Sequence, residues 1–207
     1  MGLAVSTHAL AYLIANDAEG ATALTEDIAL VNKLLAANEL PAHTEPSEAR
    51  TPRRPSTTSF PYSFLHYLRR AFAHVREDVE LTPLAEGESP TDDETVDEAS
   101  EMFDTHLLCH SDAEGYYVPI DFNDVIFDVD NLGLAGGSLG STQRLRDELI
   151  ETAIGISLDD GELSDELAAA IHAEADTGPY WRERLVWLAL FEAARVSLAD
   201  KTMIVFS

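Results

Sequence analysis

The sequence predicts an α+β protein, mostly helical, with a small antiparallel sheet. Three observations carry that expectation. Apolar residues recur at helical spacing in five separate segments, and two short β-prone runs near the middle flank a glycine turn. Helices and strands never settle into the βαβ alternation of a parallel sheet. At ~150 residues per domain, 207 residues are expected to form one domain over 1–207, with exposed loops near 45–59 and 84–101. Hydrophobic residues make up 45% of the chain, enough to fill a core.

Residues 17–38 read as an amphipathic helix, because Leu24, Ile28, Val31, Leu34 and Leu35 share a face and Asn38 stands near its end. A short extended piece follows. Residues 45–59 hold three prolines and no large apolar side chain, which predicts an exposed loop. Pro61 opens a second helix. Its core face is Phe64, Leu68, Phe72 and Val75, and its polar face is His66, Arg69, Arg70 and His74. Residues 84–101 mix acids with Gly, Pro, Ser and Thr, so they read as a mobile loop whose removal leaves folding intact. HLLCHS and YYVPIDF are β-prone runs on either side of DAEG, where Gly115 can turn the chain. The expectation is a hairpin, with Pro119 marking an edge strand. NDVIFDVD adds an extended piece, LGLAGGSLG reads as a glycine loop, and Ser141 or Thr142 caps the helix QRLRDELIETAI. Helices at 164–175 and 179–198 then precede a closing strand at 202–206.

Thirty-eight acids against thirteen bases leave a net charge of −25, and of the bases only Lys33 and Lys201 are lysines. Direct nucleic-acid binding is disfavoured, since affinity for phosphate backbones comes from clustered Lys and Arg. Anionic membrane surfaces are disfavoured for the same reason. Two readings of the excess remain. Composition favours a solvated surface suited to salty surroundings; the other is a mimic of polyanions that occupies another protein's basic groove. The charge is also segregated. Arg50, Arg53, Arg54, Arg69, Arg70 and Arg76 lie close together, whereas 77–143 contains eighteen acids and no Lys or Arg, so the two segments should attract. The longest apolar run, 185–191, is far shorter than the ~20 residues of a spanning helix. No positive region precedes the apolar stretch of the first residues, so a cytoplasmic location is expected. The single cysteine, Cys109, permits no intrachain disulfide and fits a reducing compartment.

Four motifs bear on chemistry. The stretch VIFDVDNLG resembles the first motif of haloacid-dehalogenase-type phosphatases, which would make Asp128 the nucleophile and Asp130 the acid/base. That family's phosphate-binding Lys is missing between Asp128 and the acids at 159, 160 and 165, so a structural strand and turn is the better reading. Asp128, Asp130 and Gly133 also match three positions of a calcium loop, but Leu139 stands where the bidentate carboxylate belongs. Gly133, Gly136, Gly137 and Gly140 follow neither the phosphate-loop nor the dinucleotide pattern. Finally, His106, Cys109, His110, Asp112 and Glu114 are metal-ligand types in a short span. On a strand, His106 and His110 stand ~13 Å apart, so only a turn site of His110, Asp112 and Glu114 survives. No motif calls for a cofactor.

The polar face of the second helix is the one concentrated cationic surface. His66, Arg69 and Arg70 can bind a carboxylate or phosphate, or dock the chain's own acidic hairpin, which is the favoured reading because it needs no ligand. The segments PYSFLHYLRR and HLLCHSDAEGYYVPIDF are similar to segments of small, soluble bacterial proteins with no assigned activity. That resemblance spans about thirty residues and implies no catalytic residues. The functional expectation is therefore a protein that binds a protein partner, regulatory or immunity-like. The alternative is a metal-assisted or acid/base hydrolase built on His110, Asp112 and Glu114, with Arg69 and Arg70 positioning an anion.

Overall fold

A computed structural model describes residues 2–85, 87–158, 163–174 and 176–207. Among these residues the order is β1 (Gly2–Thr7), α1 (Ala9–Asn16), α2 (Ala18–Ala37), β2 (Ser59–Pro61), α3 (Tyr62–Arg76), a 3-10 turn (Pro90–Asp92), α4 (Glu94–Ser100) and α5 (His106–Cys109). The chain continues through β3 (Gly115–Val118), β4 (Ile126–Phe127), β5 (Ser138–Ser141), α6 (Thr142–Gly155), α7 (Asp165–Ala173), α8 (Trp181–Asp200) and β6 (Ile204–Phe206). The strands form one sheet in the order β2-β1-β6-β3-β5-β4. The expected α+β class is what the chain adopts.

The sheet is mixed where an antiparallel one was expected, because β5 runs parallel to β3 while the other neighbours are antiparallel. After β3 the chain runs out to the edge strand β4 and turns back antiparallel into β5. Pleating then divides the strands between two cores. Leu3, Val5, Phe60, Tyr117, Ile204 and Phe206 face a large core shared with α3, α6, α7 and α8. Tyr116, Val118, Leu139 and Val205 face a smaller one closed chiefly by α2. Helix α8 lies at the centre of the larger layer, and its Trp187 is fully buried and donates to the Leu149 carbonyl at 2.7 Å.

Side-chain caps start several helices, and the one expected at Ser141 is among them. Asp17 accepts from Gly20 N at 3.1 Å, Ser141 from Arg144 N at 3.4 Å, and Ser164 from Leu167 N at 3.0 Å. Other expectations fail. HLLCHS forms α5 and not a strand, since a run this short carries no decisive periodicity. The hairpin therefore does not form, and β3 sits inside the sheet, ending before Pro119. Part of the glycine loop is β5, where Gly140 packs so closely on the Tyr117 ring that any Cβ would collide with it. β1 had no counterpart among the expected strands.

The two expected loops are both fastened down. Asp200 accepts from Arg50 N at 3.0 Å and Thr51 N at 2.8 Å, and buried Glu192 accepts from Arg54 N at 2.6 Å, so 45–59 lies strapped along α8. Residues 84–101 carry the 3-10 turn and α4, with Pro90 and Ala99 buried. They are a packed segment.

Candidate functional site

The cations of α3 are turned inward. Arg69 is buried and donates to the carbonyls of Leu107, at 3.0 Å, and His110. Arg70 donates to Asp93 at 2.6 Å and to the Thr82 carbonyl at 2.8 Å, and His74 meets the same carboxylate at 2.9 Å. Burial by itself would raise the Asp93 pKa, but hydrogen bonds from His74, Arg70 and Thr95 N hold it at about 2. The polar face of α3 is thus a second packing face, covered by the chain's own acidic segment.

Of the expected ligand residues, His66 and Asp112 meet at 3.0 Å, and Asp112 is half exposed. Glu114 points to solvent. His110 is buried, stacked on Tyr117 at 4.2 Å with Phe206 edge-on at 4.6 Å. Burial drives its pKa down to about 3, so the ring is neutral at physiological pH. His110 is enclosed while Glu114 faces solvent, so the three side chains do not present one face to a ligand. His106 is equally committed: its Nδ1 accepts from Ser141 N at 3.0 Å, which leaves Nε2 to donate to the Asn123 carbonyl at 3.1 Å. Burial pushes the Cys109 thiol up, away from the reactive thiolate. Among the described residues no group of three or more His, Cys, Asp or Glu could hold a metal ion.

Asp128 serves a turn. Its carboxylate accepts from the backbone N–H groups of Leu132 at 2.8 Å, Gly133 at 3.0 Å and Leu134 at 3.0 Å, and these bonds lower its pKa. The oxygens a nucleophile would use are thereby occupied. Asp159 and Asp160 lie outside the described residues, and Asp165 pairs with Arg54 at 2.6 Å.

Most other arginines are likewise spent on the chain's own acids. Arg54 and Arg195 hold Glu192, Arg184 holds Glu174, Arg144 holds Asp121 and Arg76 holds Asp104. What is left on the outside is strongly acidic, as the surroundings of α4 show among the described residues. Its inner side is Ala99, with half-buried Thr95 and Val96, packed against α3 and pinned there by Asp93. Its outer side presents Glu94, Asp97, Glu98 and Glu101, all exposed. At 1.5 Å per residue these four carboxylates span ~10.5 Å, or about 3.5 Å of axis per charge. One strand of B-DNA carries a charge every ~3.4 Å. Exposed Glu88 and Asp92 precede the stripe, Asp104 follows it, and Glu77, Asp78 and Glu80 leave α3 nearby in the chain.

Glu94 and Asp97 lie in the first turn, where the helix dipole favours them, but the later acids work against the helix. Glu94 with Glu98 and Asp97 with Glu101 are like-charge pairs at i,i+4, each destabilising by ~0.2–0.5 kcal/mol. Glu98 and Glu101 also sit at the negative end of the helix dipole. Immediately after them come Met102 and Phe103, 68% and 65% exposed, with Phe103 in the left-handed region at φ 52° and its ring edge-on to Phe127 at 6.2 Å. Apart from that edge contact, this apolar pair set among carboxylates, on a backbone unfavourable for an aromatic residue, is left largely to solvent.

The molecule is thus an α+β protein that buries Arg69 and Arg70, pairs most of its other arginines with its own acids and carries a line of exposed carboxylates on α4. A family model described as "Putative DNA-mimic protein" matches residues 1–206, and the chain belongs to that family. No curated protein and no solved structure matches it. The family points to mimicry of DNA in place of the regulatory or immunity-like role expected and does not fit the hydrolase alternative, while the expected binding of a protein partner is compatible with it. Among the described residues no helix is long and apolar enough to cross a membrane. Sequence reasoning missed α4 because a line of acids without large apolar residues reads as loop. The 94, 97, 98, 101 spacing was the available signal.

Proposed function

We propose that the protein acts as a DNA mimic, presenting the outer face of α4 and its acidic flanks to the DNA-binding groove of a protein partner. One observation carries this reading: the exposed carboxylates of α4 average about one charge per 3.5 Å of helix axis, close to the mean axial charge density of a DNA strand. Charge at that density steers a basic partner from a distance, and Met102 and Phe103 supply the apolar contact that charge lacks. The excess of acids then serves a partner's groove rather than solvation alone. An intracellular location, where DNA-binding proteins work, goes with this reading.

The test immobilises the full chain and loads the heparin-binding fraction of a cell extract. Retained proteins are eluted with duplex DNA in one arm and with an uncharged polymer in the other. The reading requires proteins that DNA alone elutes, that bind duplex DNA when isolated, and that release it when the chain is added. Converting Glu94, Asp97, Glu98 and Glu101 to Gln or Asn should weaken retention at least tenfold and flatten its dependence on salt. Retention of nothing, or only of proteins indifferent to DNA, would overturn it.

A further inference from the structure

On the opposite side of the sheet from α4 lies a cavity of about 630 Å³, roofed by α1 and α2. Pockets for small ligands typically fall in the range of ~300–1,000 Å³. The floor is set by strand register, since Ser6 is directly opposite Val205, and Val205 opposite Tyr116, giving one row across β1, β6 and β3. Leu13 of α1 and Leu24 of α2 line it from above. Small side chains leave the space open, among them Ser6 in the floor and Gly20 in the roof.

The cavity is polar at its two ends. On the β1 side stands Arg53, whose Nη1 donates to Thr7 Oγ1 at 3.4 Å and whose Nη2 is buried with no partner. On the β3 side Tyr116 donates to Asp27 at 2.6 Å. Two strand spacings, ~10 Å, separate these ends. Arg53 is the one basic residue among those lining the cavity, and Glu192, the carboxylate that acts on it, is already held by Arg54 and Arg195. Helix α1 adds an independent observation. Its sequence, ALAYLIAN, is largely apolar, yet none of its residues is buried, and Tyr12 and Ile14 are 68% and 61% exposed. It is an apolar roof over an incompletely filled space.

We propose that this cavity binds a small amphipathic carboxylate, with the acid group on Arg53 and the apolar body along Val205 beneath Leu13 and Leu24. Asp27 and Tyr116 limit how far the body extends. The charge of the head is set by Arg53, whose unpartnered Nη2 a carboxylate can satisfy. The site is independent of the acidic face, so either can fail without the other.

Octanoate, 1-octanol and octylamine are the probes, titrated into the full chain by calorimetry and by backbone amide NMR. Octanoate should bind at least tenfold more tightly than octanol, shift the amides of Ser6, Leu24 and Val205, and raise the Tm, with octylamine weakest. Arg53→Met should remove the preference for octanoate over octanol while leaving octanol binding intact. Ser6→Leu should fill the floor and abolish both, and Ala23→Phe, at a lining position that is itself exposed, is a second variant that should do the same. Equal affinity for octanoate and octanol, shifts confined to other surfaces, or no binding at millimolar probe would overturn the proposal.

Discussion

Helices α3 and α4 lie against each other and treat charge in opposite ways. In α3, Arg69, Arg70 and His74 are buried and each is held by carbonyls or by Asp93, so the cations contribute packing and little external field. In α4 the inner side is small and neutral, and the carboxylates face water in a line. The lesson is that net charge understates the surface. By burying Arg69 and Arg70 and tying most other arginines to its own acids, the chain leaves its remaining acids with little to offset them.

The harshest way to break the comparison is to replace 84–101 with a Gly-Ser linker. That removes Asp93 from Arg70 and His74 and exposes the faces that Pro90 and Ala99 cover. Loss of one partner of a buried ion pair costs ~3–5 kcal/mol. Urea denaturation should show a loss of this size, and an unchanged midpoint would mean that α4 is not part of the cooperative unit.

Arg69→Leu attacks the other helix. It leaves the Leu107 and His110 carbonyls without their donor, at ~1–3 kcal/mol for each buried group left unpaired. A loss of about 3 kcal/mol, or ~6–12 °C in Tm, is expected by calorimetry. Octanoate binding on the far side of the sheet should survive at a temperature where the variant is folded.

Titration sharpens the contrast between interior and surface. His110 has a folded pKa of about 3 against an ordinary 6.5, so its contribution is intact above pH 6.5 and is lost as the pH falls toward 3. Glu148 runs the other way. Its carboxylate accepts from His106 N and Leu107 N, both at 2.7 Å, but burial dominates and pushes its pKa up to about 7. Acidification from pH 7 to 4.5 therefore favours the native state by ~3 kcal/mol at this site, because the folded form takes up the proton first. The two effects oppose each other in the wild type. His110→Phe should make stability rise as pH falls from 6.5 to 4.5, and Glu148→Gln should make it fall more steeply. Parallel profiles for both variants would show that neither group titrates as its surroundings dictate. Below pH 4, Asp93 and Asp200, both held at about 2, lose their contributions in turn.

The smallest effect belongs to the acidic face itself. Glu98→Gln with Glu101→Gln removes both i,i+4 repulsions and relieves the helix dipole, so stability should rise by less than about 1 kcal/mol while partner retention falls. Sodium chloride should raise the Tm of the wild type between 0.01 and 1 M, because the Debye length falls from ~30 to ~3 Å and screens the exposed acids more than the buried pairs. The doubly substituted chain should gain less from salt. A Tm that falls with salt would mean that internal ion pairing outweighs surface repulsion.

Local sequence determined those parts of the molecule whose signal is periodic or a cap. Helices α2, α3, α6, α7 and α8 and the closing strand β6 lie close to where apolar spacing and the cap at Ser141 put them. The net charge and the inward pull between the arginines of α3 and the acids after it were also legible. Tertiary structure decided the rest. HLLC became a helix because Glu148, forty-odd residues away in sequence, accepts its first two N–H groups. Gly140 belongs to a strand because the Tyr117 ring fills the space where its side chain would be. The polar face of α3 turned out to be interior because a distant segment covers it, and the acids after it turned out to be a helix because Asp93 anchors them there. Periodicity records which residues of an element share a face. Only the packing of elements remote in sequence says what that face meets.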